Sequence, residues 1–570
     1  MSKEITIEDI VREISKKNPG SDTALIQRAY EFAKRAHEDQ KRSSGEPYII
    51  HPLQTAYTLS QMNLDDTTIA AALLHDVADD TSITAEEIKQ EFGKEIAFLV
   101  EGVTKLGKIK YRGVERQIEN LRKMFFAMAE DIRVVLIKLA DRLHNMETLE
   151  HLPERKQKRI ARETLEVYAP IASRLGIGQL TRTLQDLSFP IVLPEEYAWL
   201  IKNVKERYQE REVYLRRIEP IVKMELEKES LSPLELNHRT KGYYSLYQKL
   251  LKRDMDFNRI YDLIAIRIIM HDVKDCYGAL GVIHNKWRPL PGLIKDYISL
   301  PKPNGYQSLH TTVFCEEGKI TEFQIRTPEM HRAAEYGIAA HWAYSELGKP
   351  DKGVTMKNPR FAWVDQLRDW QKQVSGSGEF LESLKIDFFR HRIFVLTPKG
   401  EVFDLPEDAT PVDFAYQVHS DIGDQCVGTR VNGRIAPLNT PLQNGDVVEI
   451  LIQKNKKPSE KWLEFVKTSN TRAKIKQALR KTKTSLIPQR REANLKIFAR
   501  DRVGLMRDIS AVISDSGTNI LHITTEAKTK GGLATIMVSV QIKDRTRLAQ
   551  LVTKIKNVPL VESVEHRFMG

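Results

Sequence analysis

Residues 259–273, RIYDLIAIRIIMHDV, and residues 319–331, KITEFQIRTPEMH, each place a short run of β-branched residues between helical stretches. Alternation of this kind is typical of an α/β or α+β domain. The chain before residue 196 has a different pattern, with apolar residues three and four positions apart, as in DTTIAAALLHDVADD at 66–80. That spacing predicts amphipathic helices. The change near residue 236 therefore separates a helical half from a mixed domain.

The remainder of the chain contains smaller segments with their own patterns. Residues 388–452 are strand-rich with turn signals at PKG, VNG and QNGD, which indicates a small β-grasp-like domain. Residues 492–570 alternate strand, helix, strand, strand, helix, strand, the order of a ferredoxin-like module. We therefore predict a multidomain protein with, in chain order, an all-α domain at 1–195, an α/β domain with a helical connector at 196–345, a turn-rich linker at 346–387, the β-grasp domain at 388–452, a short basic helical segment at 453–491 and the ferredoxin-like domain at 492–570.

The bulk composition limits the class of protein. At 570 residues the chain is too long for a single hydrophobic core, and its net charge of +11 favours polyanionic partners such as nucleotides or RNA. The three cysteines, at positions 276, 315 and 426, are too far apart to indicate a disulfide framework or a cysteine zinc site. The charged N-terminus is not a signal peptide, and no apolar run approaches the ~20 residues of a membrane helix. We expect a soluble, cytoplasmic protein without membrane contact.

Two histidines and two aspartates lie at unexpected positions in the helical half. His75 and Asp76 interrupt the apolar helix AALLHDVADD, and Asp141 interrupts VVLIKLADRLHNM. His51 follows the turn signal SGEPYII. Burying a carboxylate is costly unless it is paired or bound to a metal. Two histidines and two aspartates from three segments form a nitrogen and oxygen set that suits a divalent transition ion such as Mn²⁺.

The residues after this set add candidates for proton transfer. Asp79 and Asp80 lie three to five residues beyond the His75-Asp76 pair, close to the same helix face. Their carboxylates can accept or donate a proton during catalysis. The plainer interpretation is that the pair caps or salt-bridges a helix core, and for the dipeptide alone that interpretation is favoured. The additional histidine and aspartate at these spacings favour metal binding.

A second pair of carboxylates lies in the α/β region. In TEFQIRT at 321–327, alternation places Glu322, Gln324 and Arg326 on one strand face, and Asp262 opens the apolar strand DLIAIRII. Two carboxylates on neighbouring strands can share a Mg²⁺ that bridges nucleotide phosphates. The flanking segments supply Tyr306, on which a base can stack, and phosphate-binding cations at Arg239, Lys241, Lys249, Lys295 and Lys302. The alternative is a solvated basic face, with Asp262 as a strand-end cap.

The segments of the helical half resemble the HD-type hydrolase domain of the RelA/SpoT homologue family. The resemblance is carried by RSSGEPYIIHP, LLHDVADDT and IKLADRLHNMETL. It implies that Mn²⁺ is bound by His51, His75, Asp76 and Asp141. It also implies that the guanosine and ribose of the substrate are held by Arg42, Asn145 and Thr148.

GYYSLYQK, YDLIAIR, KDYISLPKPNGYQSLHTTV and EFQIRT resemble the synthetase domain of the same family. The resemblance implies transfer of the β,γ-pyrophosphate of ATP to the 3′-hydroxyl of GDP or GTP, with Mg²⁺ on Asp262 and Glu322 and with Glu322 as candidate base. Tyr306 would stack on the acceptor guanine and Arg239 on the ATP adenine. Lys302, Asn304 and His310 would hold the acceptor. The other nucleotide-binding residues implied are Lys241, Ser245, Lys249, Lys295, Gln324 and Arg326.

Three positions depart from the family pattern. Asp79-Asp80 stands where the family usually has Glu-Asp, and Ser43 stands where it often has Lys. Leu293-Ile294-Lys295-Asp296 keeps the Lys of the Arg-x-Lys-Asp pattern of bifunctional members but not its Arg.

We expect an enzyme that both makes and hydrolyses (p)ppGpp in the stringent response. The alternatives are a synthetase with an inactive, regulatory HD domain, and a tRNA- or ribosome-associated regulator that binds nucleotides without catalysis.

The C-terminal segments resemble the regulatory domains of the same family. FVLTPKGEVFDLPEDATPVDFAYQVHSDIGDQCVG resembles a TGS domain, where His419 would face the tRNA acceptor end, and the last segment with ARDRVGLMRDIS resembles an ACT domain. Between them the sequence has no cysteines for the zinc-bearing module of full-length relatives. We therefore expect only weak association with ribosomes and tRNA.

Overall fold

The computed structural model describes residues 5–107, 123, 124, 127, 130–302, 304–340, 392–454, 456–486, 491–527, 532–542 and 544–569. The predicted linker at 346–387 lies outside these residues. The chain forms two compact units, and the second comprises residues 419–427, 452–465 and 470–570. Both predicted catalytic regions belong to the first unit.

The described N-terminal region is helical, as predicted. Its helices are α1 (Ile7–Lys17), α2 (Thr23–Ala36), α3 (Ile50–Gln61), α4 (Asp66–Leu74), α5 (Val77–Asp80), α6 (Ala85–Gly107), α7 (Ile132–Glu147), α8 (Glu154–Glu163), α9 (Ala169–Arg174) and α10 (Gly178–Val192). A 3₁₀ turn follows α7 at Leu149–His151, and a π-helical turn at Thr164–Tyr168 joins α8 to α9. The apolar faces of these helices form one buried cluster. Helix α4 is buried over most of its length, so the His75-Asp76 pair that follows it lies against this core.

A long helix leads from the helical region to the sheet domain. Helix α11 (Pro194–Lys228) covers most of the predicted helical connector. Its C-terminal half buries Tyr214, Leu215 and Ile218 against the sheet. The connector is therefore a structural layer of the α/β domain.

The α/β domain contains a five-stranded mixed sheet. Its strands are β1 (Glu235–Thr240), β2 (Ile264–Ile269), β3 (Lys295–Asp296), β4 (Leu309–Phe314) and β5 (Ile320–Arg326), in the order β1-β2-β5-β4-β3. Only β2 and β5 pair in parallel. The helices of this domain are α12 (Tyr243–Leu251), α13 (Val273–Lys286) and α14 (Pro328–Tyr336).

The two faces of this sheet have opposite character. Ile264, Ile266 and Ile268 of β2 and Phe323 and Ile325 of β5 pack against α11 and α13. Because side chains alternate along a strand, the register places the polar residues of β1, β2, β4 and β5 on the opposite face. That face carries Arg239, Arg267, His310, Glu322, Gln324 and Arg326. The predicted synthetase residues of the strands thus share one face.

The C-terminal part contains two smaller sheet domains. The first has strands β6 (Arg392–Leu396), β7 (Val402–Pro406), β8 (Cys426–Val431), β9 (Arg434–Ala436) and β10 (Asp446–Ile452), in the order β7-β6-β10-β8-β9, with helices α15 (Pro411–Val418) and α16 (Ser420–Asp424). A 3₁₀ turn at Glu460–Glu464 and helix α17 (Ser469–Leu486) follow.

The last domain has the predicted ferredoxin-like order. Strands β11 (Arg491–Arg500), β12 (Asn519–Ala527), β13 (Leu533–Ile542) and β14 (Val561–Met569) alternate with α18 (Leu505–Asp515) and α19 (Arg545–Lys556). The sheet order is β12-β13-β11-β14. Residues 491–500 form the first strand, because Ala493, Leu495, Ile497 and Ala499 alternate into the core. Among the described residues, no helix is long and apolar enough to cross a membrane.

Candidate active sites

Four side chains converge at a buried point between helices α3, α4 and α7. His51 Nε2 lies 3.2 Å from Asp141 Oδ1 and 3.5 Å from Asp76 Oδ2. His75 Nε2 lies 3.2 Å from Asp76 Oδ1. One ligand atom from each of His51, His75 and Asp141 falls within 4.8 Å of the others. The structure therefore brings together the four predicted metal ligands.

The hydrogen bonds around the two histidines define which nitrogen of each ring is protonated. His75 Nδ1 lies 2.8 Å from the Ala72 carbonyl, to which it must donate, and the buried His75 Nε2 has no hydrogen-bond partner. Arg42 Nη1 lies 2.7 Å from His144 Nδ1, and because arginine is only a donor, that nitrogen must accept. His51 Nδ1, 2.8 Å from the same atom, must then donate.

This assignment leaves two lone pairs directed into the cluster. The Nε2 atoms of His51 and His75 are then unprotonated and face the carboxylates of Asp76 and Asp141. Lone pairs and carboxylate oxygens repel one another unless a cation lies between them. The donor set therefore fits a divalent cation, and the hydrogen bonds to the outer ring nitrogens hold the ligands in orientation.

The charges of the cluster agree with a cation site. Burial opposes the ionisation of Asp141, but the ammonium group of Lys138, 2.6 Å from Asp141 Oδ2, together with His51 and His75 outweighs burial and holds the pKa of Asp141 well below its usual range. Burial likewise opposes ionisation of Asp76, and the neighbouring histidines more than compensate and lower the pKa of Asp76. Burial lowers the pKa of His51. The cluster thus presents ionised carboxylates beside the His51 ring.

The predicted substrate-binding residues of this site lie at its edge. Arg42 Nη2 donates to Asn145 Oδ1 at 2.9 Å, and the Asn145 amide donates to Asp141 Oδ1. Thr148 ends α7, where its hydroxyl donates to the His144 carbonyl at 3.0 Å. Asn145 thus contacts the predicted ligand Asp141, and Arg42 contacts Asn145 and His144. Thr148 lies about two helical turns beyond Asp141.

The predicted proton-transfer residues lie at the exposed end of the cluster. Asp79 and Asp80 belong to the short helix α5 and are exposed. The Tyr48 hydroxyl lies 2.9 Å from Asp76 Oδ2 and 2.7 Å from Asp80 Oδ2. Burial and then the two carboxylates raise the pKa of Tyr48, so it remains a donor. Asp80 is therefore connected to the predicted ligand Asp76 through one hydroxyl group.

Three residues of this site were not anticipated from the sequence. Lys138 and His144 flank Asp141 on α7, at i−3 and i+3, so helical spacing alone offered a signal for both. Tyr48 lies within the quoted SGEPYII segment, but its contact with α5 depends on how two helices pack.

In the sheet domain, Asp262 lies just before β2 between two lysines. Its carboxylate is 2.5 Å from Lys241 Nζ and 2.7 Å from Lys249 Nζ. Burial opposes ionisation, but these two ammonium groups lower the pKa of Asp262 to about 2. Lys241 also experiences the charge of Glu322. Two predicted phosphate-binding lysines and one predicted metal ligand are thus assembled at one point.

Glu322 lies on the same face within a chain of hydrogen bonds. His310 Nδ1 is 3.2 Å from Glu322 Oε1, and Gln324 Nε2 donates to the same oxygen at 2.9 Å. Arg239 Nη1 donates to Gln324 Oε1 at 3.3 Å. Burial opposes ionisation of Glu322, but the hydrogen bond from His310 lowers its pKa. Glu322 is therefore an oriented, ionised carboxylate.

Aromatic rings and one buried lysine complete this face. The Tyr306 hydroxyl lies 2.7 Å from His310 Nε2, which accepts because Nδ1 donates to Glu322. Lys302 Nζ lies 4.6 Å from the centre of the Tyr297 ring and 4.9 Å from that of Tyr306. Burial, followed by repulsion from Lys295 and Arg239, lowers the pKa of Lys302 to about 8.

The remaining predicted residues are placed less directly. Ser245 donates to Gln185 of α10 at 3.3 Å, and Lys295 is exposed and pairs with His310 across the strands. Arg326 is fully buried, 2.8 Å from His331 Nδ1 and 3.5 Å from Glu335 Oε1. The structure thus places Arg326 against α14 and not at the open face. In the first of the two smaller sheet domains, which contains β6–β10, His419 caps α16 and is exposed.

Comparison with known protein families places these two sites in context. Family models match, in chain order, an HD domain at residues 29–178, a region found in RelA / SpoT proteins at 238–349, a TGS domain at 393–452 and an ACT domain at 488–565. The four matches follow the order predicted from the sequence.

Full-length relatives agree with these matches. The chain is 49% identical over 485 residues to a guanosine-3′,5′-bis(diphosphate) 3′-pyrophosphohydrolase of Aquifex aeolicus, covering 84% of this chain and 68% of the relative. It is 46% identical over 489 residues to a GTP pyrophosphokinase of Myxococcus xanthus, covering 85% and 63%. It is 46% identical over 466 residues to the bifunctional (p)ppGpp synthase/hydrolase SpoT of Escherichia coli, covering 82% and 66%. The alignments thus span about two thirds of the length of these relatives, and on this similarity the chain belongs to the RelA/SpoT family.

Proposed function

We propose that this chain makes and removes the 3′-diphosphate of guanine nucleotides. The sheet domain transfers pyrophosphate from ATP to the 3′-hydroxyl of GDP or GTP, and the helical domain hydrolyses the product, (p)ppGpp, at the 3′ position. The observation that carries the proposal is the presence in one chain of both assembled sites: the buried His51, His75 and Asp141 with Asp76 beside them, and the Asp262 and Glu322 carboxylates within a basic face. Relatives are named for each activity.

For hydrolysis, His51, His75, Asp76 and Asp141 would hold Mn²⁺, which supplies positive charge for the scissile phosphate and acidifies an attacking water. The residues of the chain orient the other groups. Arg42 and Asn145, joined by a 2.9 Å hydrogen bond, present a cation and an amide at the edge of the cluster to the nucleoside. Asp79 and Asp80 are exposed carboxylates beside that edge and accept the proton released in the reaction.

For synthesis, Asp262 and Glu322 would hold Mg²⁺, which neutralises phosphate charge. Glu322 is kept ionised and oriented by His310, so it can accept the proton of the 3′-hydroxyl. Lys241 and Lys249 lie beside Asp262 and contact the ATP phosphates. Tyr306, held by His310, stacks on the acceptor guanine.

Two sequential incubations test this function. Purified protein with ATP, GDP or GTP, and Mg²⁺ should yield a nucleotide with two additional phosphates, resolved by anion-exchange chromatography. The isolated product, incubated with fresh protein and Mn²⁺, should release pyrophosphate. Synthesis without hydrolysis would favour the alternative of a synthetase with an inactive, regulatory HD domain. The shorter side chain of Asp79 is the feature that motivates this alternative. Nucleotide binding without either reaction would favour the second alternative, a tRNA- or ribosome-associated regulator that binds nucleotides without catalysis.

The C-terminal domains are proposed to act in regulation. Helix α17 exposes Arg472, Lys476 and Arg480, four residues apart, which places them along one face. Such a basic stripe suits RNA phosphates, and the exposed His419 suits a tRNA end. We propose a weak association with ribosomes or tRNA in the cytoplasm, where ATP and GTP are available.

A further inference from the structure

A tight turn of the helical domain contacts the synthetase site. Residues 175–177 join α9 to α10. Gly176 lies so close to the loop formed by residues 302 and 304–306 that an added Cβ would be 2.9 Å from the Asn304 carbonyl oxygen and 3.7 Å from its Cβ. Asn304 Nδ2 also donates to the Ser173 carbonyl at 3.4 Å. We call residues 302 and 304–306 the acceptor loop.

The opposite side of the turn is fixed equally tightly. Ile338 N donates to the Leu175 carbonyl at 3.0 Å, and a Cβ at Gly337 would lie 2.2 Å from that oxygen. A Cβ at Gly178 would lie 2.5 Å from the Ala334 carbonyl oxygen. Leu175 and Ile338 are buried in the core of the helical domain. The turn therefore cannot retreat from the acceptor loop when a side chain is added.

The acceptor loop is itself compact, so a displacement of Asn304 moves its neighbours. Gly305 N donates to the Lys302 carbonyl at 2.7 Å, and Lys302 N donates to the Tyr306 carbonyl at 3.1 Å. Tyr306 N donates to Asn304 Oδ1 at 3.3 Å. The ring of Tyr306 and the ammonium group of Lys302 thus depend on where the Asn304 backbone is held.

We propose that Gly176 is a positioning residue of the synthetase: its missing side chain lets the acceptor loop seat on the helical domain, which sets the position of Lys302 and Tyr306 for the acceptor nucleotide. The inference rests on the proposed function, because that function assigns the loop to GDP and GTP. It makes a residue of the hydrolase domain part of the support of the other active site. Helix α12, which carries the proposed ATP-contacting Lys249, is held separately, since Tyr244 N and Ser245 in its first turn contact Asp186 and Gln185 of α10.

The test is Gly176→Asn in the full chain, compared with Gly93→Asn. Gly176 has φ +77° and Gly93 has φ +87°, but a Cβ at Gly93 has no atom within 4 Å. Asparagine tolerates positive φ better than most residues, so the pair separates backbone strain from crowding, which at Gly176 involves the Asn304 carbonyl oxygen at 2.9 Å and the Gly337 Cα at 3.2 Å. Gly176→Ala and Gly93→Ala form a second, smaller pair in case Gly176→Asn does not fold.

Three measurements decide the result. Calorimetry should show GDP binding weakened about tenfold in the Gly176 variant and unchanged in the control. The KM for GDP should rise by the same factor, while the KM for ATP and the hydrolysis rate stay within about twofold. Unchanged GDP affinity, or equal losses for ATP and GDP, would overturn the positioning role. Because calorimetry needs no turnover, it tests the inference even if the assay for synthesis fails and the proposed function falls.

Discussion

His144 Nδ1 lies 2.8 Å from His51 Nδ1 and 2.7 Å from Arg42 Nη1. Burial, followed by repulsion from His51 and Arg42, lowers the pKa of His144 to about 3, so the ring is neutral and accepts both hydrogen bonds. This acceptor is what directs the unprotonated Nε2 of His51 toward the carboxylates. His144 therefore connects the predicted substrate-binding residue Arg42 to the predicted metal ligand His51.

His144→Phe should weaken metal binding without removing a ligand. The ring shape is retained, but His51 Nδ1 and Arg42 lose their acceptor, and loss of such an orienting partner typically costs 10–100-fold in metal affinity. Mn²⁺ titration followed by calorimetry measures the effect. His151→Phe, at an exposed position, is the control. Equal Mn²⁺ affinity in both variants would contradict the proposed role of His144.

Asp262→Asn and Glu322→Gln should each abolish synthesis and leave hydrolysis within about twofold. Both changes keep the side-chain shape but remove charge that orients phosphate and metal, and electrostatic groups of this kind are worth about 10²–10³ in rate. Glu317→Gln, at a partly exposed turn before β5, is the control. Near-normal synthesis by either variant would show that the site is assigned wrongly.

Asp79 and Asp76 should respond differently to loss of charge. Asp76→Asn should release Mn²⁺, because it removes a ligand carboxylate from the buried cluster, and synthesis should then run unopposed. Asp79→Asn should retain Mn²⁺ and slow hydrolysis by about 10²–10⁴. Asp79→Glu, which restores the carboxylate usual in the family, should hydrolyse at least as fast as the natural chain. Metal analysis and single-turnover rates distinguish the three variants, and absence of bound Mn²⁺ in the natural chain under metal-replete conditions would contradict the metal site.

Synthesis should lose efficiency for the acceptor as pH rises through about 8. Burial lowers the pKa of Lys302 to about 8, so its ammonium group is charged below that pH and neutral above it, and only the charged form attracts phosphate. The value of kcat/KM for GDP reports the free enzyme and should fall above this pH. Lys302→Arg should remove that fall because arginine stays protonated. An unchanged pH profile in the arginine variant would exclude Lys302 as its source.

Association with ribosomes should be weak and should fade between low and physiological salt. Replacing Arg472, Lys476 and Arg480 with glutamine removes the stripe on α17 and should flatten the dependence of binding on salt concentration. Replacing the exposed Lys16, Lys94 and Lys158 with glutamine changes the net charge equally and should have little effect. Co-sedimentation across a salt series measures both. Tight binding that persists at high salt would contradict the expectation.

The four candidate metal ligands could be selected from the sequence because carboxylates and histidines are out of place inside apolar helices such as AALLHDVADD. Tyr48 was not found, because its role depends on the packing of the loop before α3 against α5. Arg326 was correctly placed on the strand face with Glu322, but alternation does not show that α14 covers that end of the strand. Gly176 carried no signal at all, since its role is defined by an absent side chain and a loop 128 residues away.

Helix α10 packs into both catalytic domains, which affects how the protein unfolds. Its Leu180 and Leu184 belong to the core of the helical domain, its Phe189 packs with Leu246 and Leu250 of α12, and its Asp186 holds the start of α12. Neither catalytic domain can lose its structure without exposing the shared helix. The two domains should therefore melt in a single cooperative transition, and a fragment cut between them at residue 195 should be far less stable than either domain in the intact chain.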